Sequence, residues 1–268
     1  AICSVDAIKL NFNEKGFYVP YVNQEECINC GLCVKVCPGV EVNFEELNLR
    51  EFNKLPEDTY LSNFIGTYLG HATDERVRYN GSSGGIVTAL ALYALKEKIV
   101  DEVIVTKLRK DGRPQAMVTS DRVEILNSSG SKYAPVPVNT ILKKIIKEDN
   151  KKKYLFVGLP CEIHGILKSG KYLPKLKEKM WLKIGLFCGG TVSLIGTGFI
   201  LWLYKIDKNI KEILKYRGEG WPGVFSVKMK DDSHKKISFP EYYPYLGAYY
   251  INPRCRLCID HTAEFADI

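Results

Sequence analysis

The sequence lacks the patterns of several common enzyme classes. It contains no GxGxxG, so a Rossmann dinucleotide site is not indicated, and no Ser/His/Asp or Cys/His arrangement with hydrolase spacing. Histidine is scarce, with four residues in 268: His71, His164, His234 and His261. His164 follows Cys161 on one predicted helix, and without a partner motif we expect it to be a structural histidine.

Signals for export or membrane insertion are also lacking. No basic stretch followed by an apolar one opens the sequence, so no secretory signal is indicated. Residues 184–204 carry no charge and could span a bilayer by length alone. Glycines, a cysteine and hydroxyl residues interrupt them, however, so we predict a buried strand, a glycine turn and a core helix. We expect a cytoplasmic protein with no membrane span.

Positive charge is in modest excess. The 38 Lys and Arg against 31 Asp and Glu give a formal net charge of +7. These cations can form a solvated surface, or they can attract phosphate-bearing cofactors or an acidic redox partner. Because they are not interleaved with aromatic residues in any recognisable module, we expect no nucleic-acid partner.

The sequence is rich in cysteine. The nine cysteines lie in a long chain and five are near its start, which favours a reducing compartment over a disulfide framework. The run CINCGLCVKVCP matches the bacterial ferredoxin pattern CxxCxxCxxxCP. We therefore predict that Cys27, Cys30 and Cys33 hold a four-iron, four-sulfur cluster. Zinc, the alternative, normally uses two separated CxxC pairs.

Cys3 and Cys37 allow two interpretations. The residues after Cys3 resemble the end of such a run, and residues 8–12 and 17–22 predict a hairpin that would return Cys3 to the other thiols. Cys3 would then complete the cluster, and Cys37 would ligate a second one whose other ligands precede Ala1, so a truncated start is expected. Alternatively, Cys3 is unligated and Cys37 closes a one-cluster site. We predict a ferredoxin module over residues 1–45 and a linker over residues 46–60.

Two loops in the rest of the chain, called the body here, favour anion binding. The glycine loop, residues 81–85, precedes an apolar helix that we expect to be buried, and Ser82 or Ser83 can cap it. The serine loop, residues 128–133, is either an ordinary turn or a second contact to a diphosphate, with Lys132 as the counter-charge. The candidate binding residues are Ser82, Ser83, Gly84, Gly85, Gly130, Ser131, Lys132 and Tyr133.

The four remaining cysteines indicate a second site. Strands are predicted at residues 100–108, 115–120, 154–157 and 181–187, with a hairpin at 224–239. Cys161 follows one strand at a helix start, where amides and the helix dipole favour a thiolate. Cys188 ends another strand, while Cys255 and Cys258 form CRLC. These four thiols fit a cluster, and zinc remains open on spacing alone.

Several motifs together resemble one family. NGSSGGIVTALALYALK, SSGSKY, VGLPCEIHGI, IGLFCGG and CRLCIDHTAEFADI occur in the order seen in the coenzyme F420 hydrogenase/dehydrogenase beta-subunit family. The resemblance covers Gly66 to Ile268. It implies an α/β (α+β) flavoprotein body preceded by a small bacterial ferredoxin-like iron-sulfur module, with lobes at residues 61–160 and 161–268. Because the family pattern continues past ADI, a truncated end is expected too.

The resemblance also implies cofactors and partners. It makes Cys161, Cys188, Cys255 and Cys258 candidate ligands of a four-iron cluster, and makes the two loops candidate FAD contacts. We expect hydride transfer between coenzyme F420 and FAD, with single electrons passing through the clusters to a redox partner protein or subunit. The alternatives are a ferredoxin-like electron-transfer subunit without its own substrate site and, more remotely, a zinc-stabilised structural lobe.

Overall fold

The computed structural model describes residues 2–59 and 61–268 of the chain. The strands are β1 (Ile8–Phe12), β2 (Tyr18–Val22), β3 (Glu102–Leu108), β4 (Pro114–Thr119), β5 (Tyr154–Gly158), β6 (Met180–Gly185), β7 (Ile210–Lys215), β8 (Val224–Met229) and β9 (His234–Ser238). The helices are α1 (Leu32–Lys35), α2 (Phe44–Phe52), α3 (Glu75–Asn80), α4 (Ile86–Lys96), α5 (Arg122–Asn127), α6 (Leu142–Lys147), α7 (Pro160–Gly170), α8 (Pro174–Lys179), α9 (Leu194–Leu203) and α10 (Phe239–Tyr249). Two 3₁₀ turns span Val138–Ile141 and Pro253–Leu257.

The ferredoxin module begins with the predicted hairpin. Strands β1 and β2 pair antiparallel, with Ile8 opposite Val22 and Phe12 opposite Tyr18. The connecting turn closes because the side-chain oxygen of Asn13 accepts the Phe17 amide hydrogen at 3.0 Å. Helix α1 begins inside the CxxCxxC run and ends before Cys37. The hairpin prediction is confirmed.

The segment after the module differs from the predicted linker. Residues 44–52 form α2, which begins where the Asn43 side chain accepts the Glu46 amide hydrogen at 3.0 Å. Leu47 and Phe44 lie on one face of this helix and pack into the body core. Phe52 packs against the same core, whereas Leu49 is exposed, and this apolar residue off the packed face weakens the period in the sequence. Residue 60, the end of the predicted linker, lies outside the described residues.

The central sheet of the body has the strand order β4-β3-β5-β6. Strands β3, β5 and β6 run parallel, while β4 returns antiparallel to β3. Side chains alternate between its faces: Ile104 and Phe156 pack with α6, α7 and α8, whereas Val103 and Leu155 pack with α4. The body is therefore a mixed α/β fold. The predicted lobe boundary at 160/161 falls within this sheet, between β5 and β6.

A second body sheet, β7-β8-β9, is antiparallel. Its β8–β9 hairpin is predicted by the sequence, whereas β7 is not. Helices α9 and α10 cover this sheet, and the buried rings of Tyr216, Phe225 and Tyr242 meet between the layers.

Two apolar segments illustrate the limits of a local pattern. The uncharged residues 184–204 divide into the end of β6 and α9, as predicted, and none of the helices in the described part of the chain is long and apolar enough to cross a membrane. The expectation that α4 is buried all round is wrong. Ala91 and Ala94 face the core, but Ile86 and Tyr93 are exposed.

Candidate cluster and cofactor sites

The four body cysteines are brought to one edge of the central sheet. Strands β5 and β6 are parallel and end side by side, with Gly158 opposite Gly185. Cys161 is the second residue of α7, after β5, and Cys188 comes three residues after β6. The turn at residues 253–257 carries Cys255 to the same place, with Cys258 directly after it. The sulfurs are close enough for the Cys161 thiol to feel the charges of the other three.

Backbone contacts hold the chain segments that carry these thiols. The amide of Cys188 donates to the His261 carbonyl at 2.9 Å, and the Thr191 amide donates to the Cys255 sulfur at 3.4 Å. Within the described residues, no three His, Cys, Asp or Glu side chains are close enough to enclose a single metal ion. The thiols therefore share a region without forming a closed one-ion site.

The electrostatics of Cys161 differ from the sequence-based expectation. Although this side chain is reachable at the surface, desolvation by the surrounding protein, the Glu162 carboxylate and the neighbouring thiols raise its pKa to about 12. Burial likewise raises the pKa of Cys188. The position of Cys161 at the helix N-terminus is therefore not sufficient to keep its thiol ionised. Each ionised thiol in this set disfavours ionisation of its neighbours. A cationic iron core would supply the opposite charge and stabilise the thiolates, so the set fits such a core.

A buried hydrogen bond between a histidine and an aspartate joins two of the cysteine-bearing segments. His164, one turn after Cys161 on α7, lies 2.9 Å from the Asp260 carboxylate, and both side chains are buried. The other Asp260 oxygen accepts three backbone amides, the nearest being Ala263 at 2.7 Å. The structural role expected for His164 is confirmed. Asp260 was not among the predicted residues, although an aspartate two residues after CxxC is a signal that could have pointed to it.

The ferredoxin cysteines lie on a short, exposed loop. Gly31, between Cys30 and Cys33, has φ +69° and begins α1, so the loop bends in a conformation that favours glycine. A Cβ at Gly31 would meet no described atom within 4 Å, so the constraint is the backbone angle alone. Cys30 is exposed and Cys27 and Cys33 are half-buried, all as free thiols. This donor set and loop fit the cluster expected from the spacing.

The glycine loop and the serine loop form one continuous surface. The Ser82 hydroxyl accepts the Ser131 amide hydrogen at 2.6 Å and donates to the Arg217 carbonyl at 3.2 Å. A methyl group on Gly130 would lie 2.5 Å from that same carbonyl oxygen. Residues 215–220, which the sequence did not single out, are therefore the third side of the candidate cofactor site.

Serine capping of α4 is not what the structure shows. The N-cap is Gly85, with φ +75°, and among the described residues no side chain caps this helix. Ser83 is exposed. The Gly84 carbonyl accepts the Ala72 amide hydrogen at 2.7 Å. The first amides of α4 are thus left without a capping side chain, as an anion site requires.

Lys132 points into its own loop. Its ammonium donates to the carbonyl oxygens of Gly130, at 2.8 Å, and Ser128. Burial and the nearby charge of Lys215 lower the pKa of Lys132 to about 7. The Lys132 ammonium thus braces the loop and does not extend from it as the expected free counter-charge.

One hydroxyl at this site is unpaired. The buried Ser128 hydroxyl has no hydrogen-bond partner among the described residues. The Arg217 guanidinium also borders this site. It donates to the Tyr133 hydroxyl at 3.3 Å and lies 3.9 Å from the Phe239 ring centroid. An unpaired buried hydroxyl, uncapped helix amides and this guanidinium fit a phosphate-bearing ligand with an aromatic ring system.

Comparison with known proteins gives matches along most of the chain. Residues 67–143 and 151–268 match the profiles described as coenzyme F420 hydrogenase/dehydrogenase beta subunit, N-terminal and C-terminal. Residues 1–40 match a 4Fe-4S dicluster domain.

Individual relatives agree with these profiles. Coenzyme F420 hydrogenase subunit beta of Methanococcus voltae is 30% identical over 218 residues, covering 77% of this chain and 71% of the relative. Coenzyme F420-dependent sulfite reductase of Methanocaldococcus jannaschii is 28% identical, over 91% of this chain but only 37% of the relative. A chain in a solved structure of the F420-reducing [NiFe] hydrogenase complex of Methanosarcina barkeri aligns with a TM-score of 0.58 at 25% identity, covering 80% of this chain and 72% of that one.

Proposed function

Because the chain belongs to the coenzyme F420 hydrogenase/dehydrogenase beta-subunit family and carries a 4Fe-4S dicluster domain, we propose that it is the F420-oxidising or F420-reducing subunit of a larger redox complex, with FAD as its cofactor. When bound, FAD supplies the exchange between hydride chemistry and single electrons, since a deazaflavin transfers hydride and a four-iron cluster accepts one electron at a time. Cys161, Cys188, Cys255 and Cys258 are the proposed ligands of a body cluster.

One observation carries this proposal: the candidate cofactor loop and one of the body thiols lie near the same side chain. The Tyr243 ring lies 4.8 Å from the Tyr133 ring of the serine loop, measured between centroids. Burial first, and then the charges of Tyr133 and Cys188, raise the pKa of Tyr243, which puts that thiol in its electrostatic neighbourhood. A cofactor seated on the serine loop would therefore lie on the same side of the body as Cys188.

The residues of the two loops have distinct tasks in this proposal. The α4 amides and the Ser128 hydroxyl would bind the diphosphate, and the Ser82–Ser131 hydrogen bond would hold the two loops at a fixed separation. The Arg217 guanidinium, stacked against Phe239, adds positive charge where an anionic ligand needs it.

The test is whether reduced coenzyme F420 bleaches the flavin of anaerobically purified, cluster-loaded protein. We expect about one FAD per chain, and rapid loss of flavin colour after the deazaflavin is added. A flavin that stays oxidised with reduced F420, yet is reduced by dithionite, would remove the deazaflavin from the proposal.

A matched variant separates the two halves of the chemistry. Cys255→Ser removes one proposed ligand of the body cluster, and we expect it to retain flavin bleaching while losing body-cluster iron and transfer to a one-electron acceptor. Zinc at this site predicts instead that iron and acid-labile sulfide are the same in the variant and in the unmodified protein.

A second candidate is an electron-transfer subunit without its own substrate site. The relatives serve different overall reactions, since their names include a hydrogenase subunit, a formate dehydrogenase subunit and a sulfite reductase, although each of these names also includes F420. Protein that carries full iron and sulfide but binds no FAD would support this candidate over the first.

A further inference from the structure

Cations of the body contact the ferredoxin module next to two of its cysteines. The Lys143 ammonium donates to the Cys3 carbonyl at 3.1 Å and pairs with Asp6. The Lys168 ammonium donates to the Cys37 carbonyl at 3.2 Å and also to the Glu41 carbonyl. Cys3 and Cys37 are thus each held by a lysine from the body.

Lys168 ties Cys37 to the helix that carries a body thiol. Both Lys168 and Cys161 lie on α7. The next residue, Pro38, packs beside this helix, since a methyl group on Gly165 would lie 3.9 Å from the Pro38 Cδ. Gly165 is four residues from Cys161, about 6 Å along the helix axis. The Cys37 end of the ferredoxin run therefore packs on α7 about one helical turn from Cys161.

Arg254 approaches the same place from the CRLC turn. It directly precedes Cys255 in the sequence. A methyl group on Gly39 would collide with the Arg254 guanidinium and would lie 3.6 Å from the Cys37 sulfur. The guanidinium and the thiol therefore both border Gly39, and a side chain there would push the guanidinium away.

A cation in this position has a defined effect on a cluster. Reduction adds one negative charge to the cluster, so a fixed positive charge nearby stabilises the reduced form and raises the reduction potential. Whether Cys37 closes the first cluster or serves a second one, it is a cluster ligand in both interpretations of the run. Arg254 and Lys168 thus lie beside Cys37, on the side of the module that packs against α7 and the CRLC turn.

We propose that Arg254 and Lys168 are positioning residues that dock the Cys37 edge of the ferredoxin module on the body and raise the reduction potential of the cluster ligated by Cys37. The inference rests on the proposed function, because it takes both cysteine sets to hold clusters.

The test is a dithionite titration of the anaerobic, cluster-loaded protein, followed by electron paramagnetic resonance. At a fixed potential we expect Arg254→Gln to lower the reduced-to-oxidised ratio of one cluster about three- to tenfold, the effect of losing one partly screened charge. Lys168→Gln should act on the same signal in the same direction. Gly39→Ala, which displaces the guanidinium but keeps its charge, should give a smaller shift of the same sign.

Matched controls lie beside both cations. Arg256→Gln removes a guanidinium on the other side of Cys255, where it donates to the Ala248 carbonyl at 3.1 Å. Lys171→Gln removes an exposed lysine that pairs with Glu46 at 2.6 Å. Both controls should leave that cluster signal at its original potential.

The outcomes separate this inference from the proposed function. If Arg254→Gln and Lys168→Gln leave every cluster potential unchanged, or shift it no more than the controls do, the inference is overturned, even where reduced F420 still bleaches the flavin. If the flavin does not respond to F420, the dithionite titration still decides the role of the two cations. Should Arg254→Gln fail to assemble its clusters, Gly39→Ala answers the same question.

Discussion

Replacing Asp260 with alanine tests how the body thiols are held together. The carboxylate is almost fully buried, with 1% of its side chain exposed, and lies 2.9 Å from His164 Nε2. Its second oxygen accepts the backbone amides of Thr262, Ala263 and Glu264. Alanine would remove both sets of interactions and leave His164 without its carboxylate.

The expected loss follows from the burial of the pair. Removing the carboxylate leaves the buried His164 Nε2 without its hydrogen-bond partner, which costs about 1–3 kcal/mol. The three amides also lose their acceptor, but these contributions are not additive, so we expect about 3–5 kcal/mol in total. Asp260→Asn keeps an oxygen for the amides and removes only the charge, so its loss should be about half as large.

Cluster content should fall together with stability. The Cys258 sulfur lies 3.3 Å from the Asp260 carbonyl oxygen, so loosening this segment displaces a proposed ligand. The assay is urea unfolding of anaerobic protein by far-ultraviolet circular dichroism, with iron and sulfide measured per chain. We expect Asp260→Ala to lose the iron of one cluster.

Asp267→Asn is the matched control. Asp267 pairs with Lys183 at 2.9 Å on the same terminal segment, but 41% of its side chain is exposed. Asp267→Asn should therefore lower the free energy of unfolding by at most about 1 kcal/mol and leave the iron content unchanged. If Asp260→Ala destabilises the protein no more than Asp267→Asn does, the buried pair is not what holds these segments.

Three further predictions concern the loops. Because burial and Lys215 lower the pKa of Lys132 to about 7 from its ordinary 10.5, the folded protein binds fewer protons than the unfolded chain between these values. Without ligand, stability relative to Lys132→Met should thus rise from pH 7 to pH 10 in urea titrations, and a flat difference would contradict the shift. Ser82→Ala leaves the Ser131 amide unpaired and should cost about 1–2 kcal/mol in the same assay, while an unchanged midpoint would show that the loops meet without it. Gly31→Ala should cost about 1 kcal/mol and lower iron content because φ is +69°, whereas Gly31→Asn should lose less; equal losses would point to a cause other than the backbone angle.

Local patterns in the sequence were sufficient for several parts of the molecule. The β1–β2 hairpin, the β8–β9 hairpin and the strands before Cys161 and Cys188 follow from alternation, β-branched runs and turn residues, which depend on neighbours along the chain. The ferredoxin run is local in the same sense, since a cluster needs several thiols from one tight loop.

Where the local pattern is weak or ambiguous, prediction failed. Helix α2 combines apolar residues that pack, Phe44 and Leu47, with an exposed Leu49, so its period is faint and its stability comes from packing on the body. Helix α4 is the reverse case: its residues are apolar almost all round, yet the fold covers only one side. Composition alone does not tell a covered face from an exposed one.

The sequence by itself determined the residue types and short spacings: the cysteine runs, the glycine and serine loops and most of the strands. Only the tertiary structure decided which of these meet. The Ser82–Ser131 hydrogen bond, the His164–Asp260 pair and the approach of Arg254 to Cys37 join residues that are 49, 96 and more than 200 positions apart. Such contacts follow from how the parallel strands end together and how the module packs on α7, and no local periodicity records either.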